Sequence, residues 1–317
     1  MIAGHYLPER NGDISGALAA FASRLNFSGQ GVRLKLLTKK LQDDHNIFFI
    51  GDRHKGSILS SDDGWRKMVE MLQSDYDGCK NNYVAEGGDD IEAIAPDDKR
   101  FSPEKLTEKL ILAQIDDAIE ERMPIKDYYL YKLEGNHERT KWRDGLITQT
   151  ICQKLGVPYG TYTVKLTVND KWGRLMYKIY DTHGHKGISS TADDPKRRQA
   201  NLQLTLKRQL KFKAADCAVM IKHHVHKLIV CKPESELYLT DDGKKIQQGY
   251  TSWGQREKYI HPDARWYGLA GSFMKLYGND LSGYAEVAEY DPVELGFLVL
   301  KVRDKQIVEL KPICLDI

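Results

Sequence analysis

Several kinds of protein are excluded by what this chain has little of. Cysteine occurs only five times in 317 residues, at positions 79, 152, 217, 231 and 314. The number is odd, the spacing is wide and there is no C-x-x-C pair, which argues against a disulfide framework and against a zinc-thiolate site. A metal bound here must therefore be held by His, Asp, Glu and Asn. No apolar run approaches the roughly 18 residues of a membrane span, and the N-terminal stretch MIAGHYLPERNGDI lacks the apolar core of a signal peptide. A cytoplasmic protein is the expectation. The net charge is only +2, so no global field demands a polyanionic partner and any basic patch is local. Internal repeats, low-complexity tracts and long Pro/Gly/Ser linkers are absent as well.

What remains is an ordinary globular composition, 41% hydrophobic and 29% charged, in a chain long enough to bury a substantial core. From about Asn46 to Asn136 the pattern is a β-loop-α rhythm. The apolar run NIFFI ends in GDRHKG. The stretch SSDDGWRKMVEMLQ follows, with Ser and Asp as helix caps and Trp65, Met68, Val69 and Leu72 at helical spacing. A second strand, NYVAE, runs into GGDD. A helix is expected from SPEKLTEKLILAQIDDAIEERM, with Ser102 as cap and Pro103 at the first helical position, where its missing N–H costs little. A third strand, DYYLYKL, runs into EGNHER. Ligands in open α/β sheets bind outside the carboxyl ends of strands, so three polar, Gly-containing loops at such ends matter.

Beyond about Thr161 the texture is β-rich. TYTVKLTV and RLMYKIYDT flank NDKWG as a hairpin that delivers DTHGHKG. A basic helix, DPKRRQANLQLTLKRQLKFK, precedes CAVMI, a short strand that delivers KHHVHK. The remaining strand candidates, KLIVC, ELYLT, KIQQGYT, GYAEVAEY, GFLVLKV and IVELKPI, read as a second sheet. Residues 1–45 read as an N-terminal extension, a helix (Ile14, Leu18, Phe21, Leu25) plus a basic strand packed on the main domain of 46–317.

Histidine is the informative residue. Seven of the ten histidines fall in four short stretches, GDRHKG, GNHE, DTHGHKG and KHHVHK, each following a strand. Together with Asp52 and Asp89 they supply imidazole and carboxylate, the ligands suited to borderline divalent ions such as Mn, Fe and Zn. So many candidate ligands fit two ions sharing one carboxylate better than one ion with four.

In that order, GDRH, GGDDIE, GNHE, THGH and HHVH resemble the five signature blocks of the calcineurin-like metallophosphoesterases: GDxH, GDxx(D/E), GNH(E/D), HG or HGH, and GHxH. Any one block is weak; all five in order, from Gly51 to His226, make the resemblance. The wording IGDRHKGS, LEGNHER and GSFMKLYG is similar to the members often found in phages and prophages. The resemblance implies an α/β fold, a four-layer α/β/β/α sandwich of two mixed sheets flanked by helices. It implies that Asp52, His54, Asp89 and His226 hold one ion, that Asp89 bridges to a second held by Asn136, His183 and His224, and that His137 serves catalysis near the substrate. Glu138 is expected to orient His137. Arg53, Arg139, His185 and His223 are expected outside the ligand set, as supports or substrate contacts. His223 stands where the family has glycine, so either the turn differs or His223 adds a contact. Lys55, Lys186, Lys222 and Lys227 join Arg53 and Arg139 as an expected cationic rim.

The activity implied is phosphoester hydrolysis by a hydroxide bridging two divalent ions about 3.5 to 4 Å apart, manganese foremost, with iron or zinc as alternatives. A phosphodiesterase or nuclease is the leading expectation, given local basic segments that suit nucleic acid. A phosphomonoesterase acting on a nucleotide or phosphoprotein shares the same ligands, and a non-catalytic metal-stabilised nucleic-acid-binding module is the remaining alternative. No membrane partner is expected, and no heptad reports an oligomeric state.

Overall fold

The structure is a computed structural model, describing residues 34–315 apart from 99–100, 142–145, 252–254, 256–257 and 279–288. The helix expected around Ile14 to Leu25 and most of the strand expected at GYAEVAEY lie outside the described residues.

Two mixed sheets build the molecule. The five-stranded sheet contains β2 (His45–Ile50), β3 (Asn82–Glu86), β4 (Tyr129–Lys132), β12 (Gly296–Arg303) and β13 (Gln306–Cys314), in the order β13-β12-β2-β3-β4. The three N-terminal strands run parallel, and β12 is antiparallel to both of its neighbours. The six-stranded sheet orders β1 (Lys35–Lys40), β5 (Thr163–Asn169), β6 (Leu175–Thr182), β7 (Val219–Lys222), β11 (Trp266–Ala270) and β8 (Leu228–Cys231).

Strand alternation explains how these sheets stack. On β2, Ile47 and Phe49 face the six-stranded sheet and meet Val164, Leu166, Ile179, Val219 and Ile221 in the central core. Phe48 and Ile50 face the other way, onto three helices. These are α1 (Asp62–Gln73), α2 (Ile111–Arg122) and α4 (Ile147–Leu155), which contribute Trp65, Met68, Leu72, Ile115, Ala118 and Ile151. A strand buried on both faces reads as a continuous apolar run, as NIFFI does. On the far side of the six-stranded sheet, Tyr180, Met220, Tyr267 and Leu269 pack against Leu206 and Leu210 of α5 (Pro195–Leu210). The layers are therefore helix, sheet, sheet, helix, the expected α/β/β/α sandwich. No helix among the described residues is long and apolar enough to cross a membrane, and the five cysteines are free thiols, four of them buried.

Three local expectations change. Ser102 and Pro103 open only a single 3-10 turn, Pro103–Lys105, and α2 starts at Ile111. The intervening segment is drawn into the loop after β2, where Ile58 N–H donates to Lys105 O and Thr107 N–H to Gly56 O. GFLVLKV and IVELKPI do not build a second sheet but return to the first one as β12 and β13, because β12 can bury its apolar residues on both faces only beside β2. ELYLT and KIQQGYT, now β9 (Leu237–Asp241) and β10 (Ile246–Tyr250), form a separate two-stranded ribbon.

Candidate metal centre

The loops leaving β2, β3, β4, β6 and β7 at their carboxyl ends converge at one edge of the sandwich. The first two are laced together as though the parallel ladder continued: Asp52 N–H donates to Gly88 O at 2.9 Å, His54 N–H to Asp89 O at 3.0 Å and Lys55 N–H to Asp90 O at 2.9 Å. The stretch after β11 closes the first loop from the far side, where Phe273 N–H donates to Asp52 O at 3.1 Å. Part of the stretch GSFMKLYG thus braces the loop that carries Asp52.

Backbone conformation marks the same residues. Asp52, His54, Asp89, His224 and His226 all have left-handed φ, between 50° and 76°. A non-glycine residue held there costs on the order of 1–3 kcal/mol, and such residues collect at functional sites. Asp and His tolerate the region better than most. The alternation matters too: in D-x-H at 52–54 and H-x-H at 224–226, left-handed residues two apart aim both side chains inward.

The side chains meet. Ligand-type atoms of Asp52, His54 and His226 lie within 4.8 Å of one another, and so do those of Asp89, His183 and His224. Asp89 Oδ2 stands between the groups, 3.9 Å from His54 Nε2 and 3.3 Å from His183 Nε2. Its Oδ1 is occupied elsewhere, accepting from His137 N–H at 2.9 Å. Asn136, the first residue of α3 (Asn136–Thr140), brings Oδ1 to 2.9 Å from His183 Nε2. His183 Nδ1 donates to Gly87 O at 2.7 Å, and His54 Nδ1 to Glu92 Oε2 at 2.9 Å. Each bond fixes a tautomer and turns Nε2 toward the centre, as carboxylate or carbonyl partners do behind metal-bound histidines. Gly135 must be glycine for this approach, because a β-carbon there would lie 2.0 Å from Asp89 Oδ1.

The donor set suits a cation. Asp52 Oδ1 and His54 Nε2 are buried and have no hydrogen-bond partner, and His226 turns Nε2 to within 3.3 Å of Asp52 Oδ1. Buried polar atoms are normally paired, so two orphans at one spot beside a histidine nitrogen call for an occupant. Charge points the same way. Burial resists ionisation of Asp52, yet His226 and His183 bring its carboxyl down to about 2. Burial disfavours a charged His183 ring, but Asp89 and Asp52 push it up to about 10. His224, beside it, is pushed down to about 4 by burial and by His183. The carboxylates thus draw positive charge into the site.

The surrounding residues fall into clear places. His137 is partly exposed, donates Nδ1–H to Glu92 O at 2.5 Å, and stands edge-on to His54 with ring centroids 4.6 Å apart. Contrary to expectation, Glu138 does not orient His137; it is buried and accepts N–H bonds from Asp90 (2.5 Å), Ile91 (3.2 Å) and Gly135 (3.1 Å), pinning the Asp89 loop to α3. Burial, then Asp89, raises its carboxyl to about 7. His185 is exposed and stacks on His224, 5.6 Å between centroids. His223 does not have left-handed φ. It is wholly buried, its Nε2 3.0 Å from Asp181 Oδ1, and Asp181 in turn accepts from Tyr131 OH at 2.8 Å. The turn here therefore differs from one that needs glycine.

Two members of the expected cationic rim are not on it. Arg53 is 0% exposed and points into the helical layer, paired with Asp62 and, at 2.6 Å, with Glu121. Lys222 is buried on β7, donating to Lys186 O and to Gln209 Oε1 of α5. A third buried group was hidden in the sequence. Glu86, Asp90, Arg122 and Lys132 are all 0% exposed and mutually paired beneath the Asp89 loop, with Arg122 Nη2 2.5 Å and Lys132 Nζ 2.6 Å from Glu86. Strand-end position was the only available signal, since Glu86 and Lys132 end β3 and β4.

No protein-family model and no curated protein matches the chain. Among solved structures, it is similar to a conserved uncharacterized protein from Streptococcus pneumoniae described as a predicted phosphoesterase. That likeness has 14% identity and a TM-score of 0.28, over 86% of this chain and 98% of the other. A likeness so slight has no bearing on activity.

Proposed function

We propose that the chain is a metal-dependent phosphoester hydrolase of the calcineurin-like kind, acting on phosphodiesters. One observation carries the reading: Asp52 Oδ1 and His54 Nε2, buried and without a hydrogen-bond partner, share a cluster of ligand-type atoms with His226 beside Asp89. Asp52, His54, Asp89 and His226 would hold one divalent cation, and Asp89, Asn136, His183 and His224 a second. Manganese fits this hard and borderline donor set, as do iron and zinc. Such a pair supplies Lewis acidity toward phosphoryl oxygens and makes water acidic enough to attack at neutral pH.

The chain's own residues do the rest. Asp89, with Oδ1 tied to the His137 amide, keeps Oδ2 facing the centre. Glu92 serves twice: its carboxylate orients His54 and its backbone carbonyl orients His137. With Nδ1–H donated to Glu92 O, His137 keeps Nε2 unengaged, and in its imidazolium form it would give the Nε2 proton to the leaving oxygen, the role of a general acid. The deciding experiment is hydrolysis of bis(p-nitrophenyl) phosphate, p-nitrophenyl phosphate and DNA with defined metals and a chelator control. Diester hydrolysis that needs manganese and is abolished by chelation supports the reading. Rapid monoester hydrolysis with both diesters intact would make the enzyme a phosphomonoesterase, and two bound metals without any hydrolysis would make it a binding module.

A further inference from the structure

Arg139 shares α3 with Asn136 and His137, and two neighbours hold its guanidinium. Nη1 donates to Glu134 Oε2 at 3.1 Å, and Cζ lies over the Tyr162 ring, 5.4 Å from its centroid. Tyr162 is anchored in turn. Its hydroxyl donates to Gly184 O at 2.5 Å, and its ring meets His183 edge-on, 5.4 Å between centroids. Even so, 55% of the Arg139 side chain remains exposed. The arrangement fixes a planar cation one aromatic ring beyond a candidate metal ligand. Holding a long side chain in place beforehand removes the ordering cost that binding would otherwise carry.

We propose that Arg139, braced by Tyr162 and Glu134, binds a second anionic group of the substrate, the phosphate next to the one being cleaved, and so selects oligonucleotides over simple diesters. The inference rests on the phosphoesterase reading above. The Tyr162 ring touches both Arg139 and His183, so the guanidinium flanks the ligand cluster and is placed for an anion beside the one the cluster would hold. In an oligonucleotide that second anion is the next phosphate along the strand. The free N–H groups of Arg139 suit bidentate contact with phosphate oxygens.

The test compares the manganese-loaded full chain on bis(p-nitrophenyl) phosphate, on TpT, which has one phosphate, and on TpTpT, which has two. Wild type should show kcat/KM per diester at least about tenfold higher on TpTpT than on TpT, the size of one charged hydrogen-bonded contact. Arg139→Met should erase that advantage through KM, and Arg139→Lys should restore part of it, since charge returns without the planar fork. Tyr162→Leu, which removes the brace and keeps the arginine, should also shrink the advantage. A wild type with no preference, or an Arg139→Met loss equal on TpT and TpTpT, overturns the proposal while hydrolysis of bis(p-nitrophenyl) phosphate leaves the phosphoesterase reading standing. Failure to hydrolyse any of the three overturns both.

Discussion

His223 lies so close to Gly87 that a β-carbon on the glycine would stand 2.1 Å from the imidazole ring. Gly87 opens the block that carries Asp89, and its carbonyl accepts from His183 Nδ1 at 2.7 Å. The His223 imidazole thus takes its space from the neighbouring loop. Gly87→Ala should cost about 1–3 kcal/mol, the usual size of overpacking, read from chemical denaturation. It should also weaken metal binding, because the displaced carbonyl orients His183. Adding His223→Gly in the same chain should recover most of both losses. A Gly87→Ala protein as stable as wild type would show that the two residues do not compete for space.

Glu92 holds His54 through Nδ1 at 2.9 Å. Glu92→Gln should leave the fold intact and weaken metal binding about 10- to 100-fold, the range for partners behind a metal-bound histidine. Calorimetric titration with manganese measures this directly. An unchanged dissociation constant would remove Glu92 from the support of the site.

Proton release on metal binding gives a pH prediction. His183 carries a proton up to about 10 in the metal-free protein, because Asp89 and Asp52 outweigh burial. A cation requires that ring neutral, so binding at pH 7.5 must expel the proton. Apparent affinity should therefore rise about tenfold per pH unit between neutrality and about pH 10, then level off. Titrations in buffers of different ionisation enthalpy should report close to one proton released from this ring. Affinity independent of pH over that range would mean His183 is not a ligand.

His137 should be separable from metal binding. His137→Ala keeps every proposed ligand, so metal content should hold while turnover falls about 10²-fold or more, the scale of general acid catalysis. Full turnover in the variant would exclude His137 from the chemistry.

Much of this architecture was legible because the signals are local. NIFFI, NYVAE and DYYLYKL each announce a buried strand by composition, and the polar loops behind them carry their chemistry within four to six residues. Ser61 caps α1 through Gly64 N–H at 3.1 Å, within the cap candidates that the sequence offered. What stayed hidden depends on pairing at a distance. Nothing local says that GFLVLKV seeks β2, or that Ser102 and Pro103 lose their helix to the loop holding Gly56. Charged residues misled for the same reason. Arg53 and Lys222 read as members of a cationic rim until the carboxylates and carbonyls that receive them are seen. Glu138 looked like a partner for the adjacent His137, but its bonds go to amides 45 or more residues away as well as to Gly135.

The most direct test is the metal content of wild type and Asp89→Ala after manganese loading and removal of unbound ion. With Asp89 Oδ2 facing both His54 and His183, the account predicts two ions per chain in wild type and fewer than one in the variant. Two ions retained by Asp89→Ala, or none held by wild type, would contradict it.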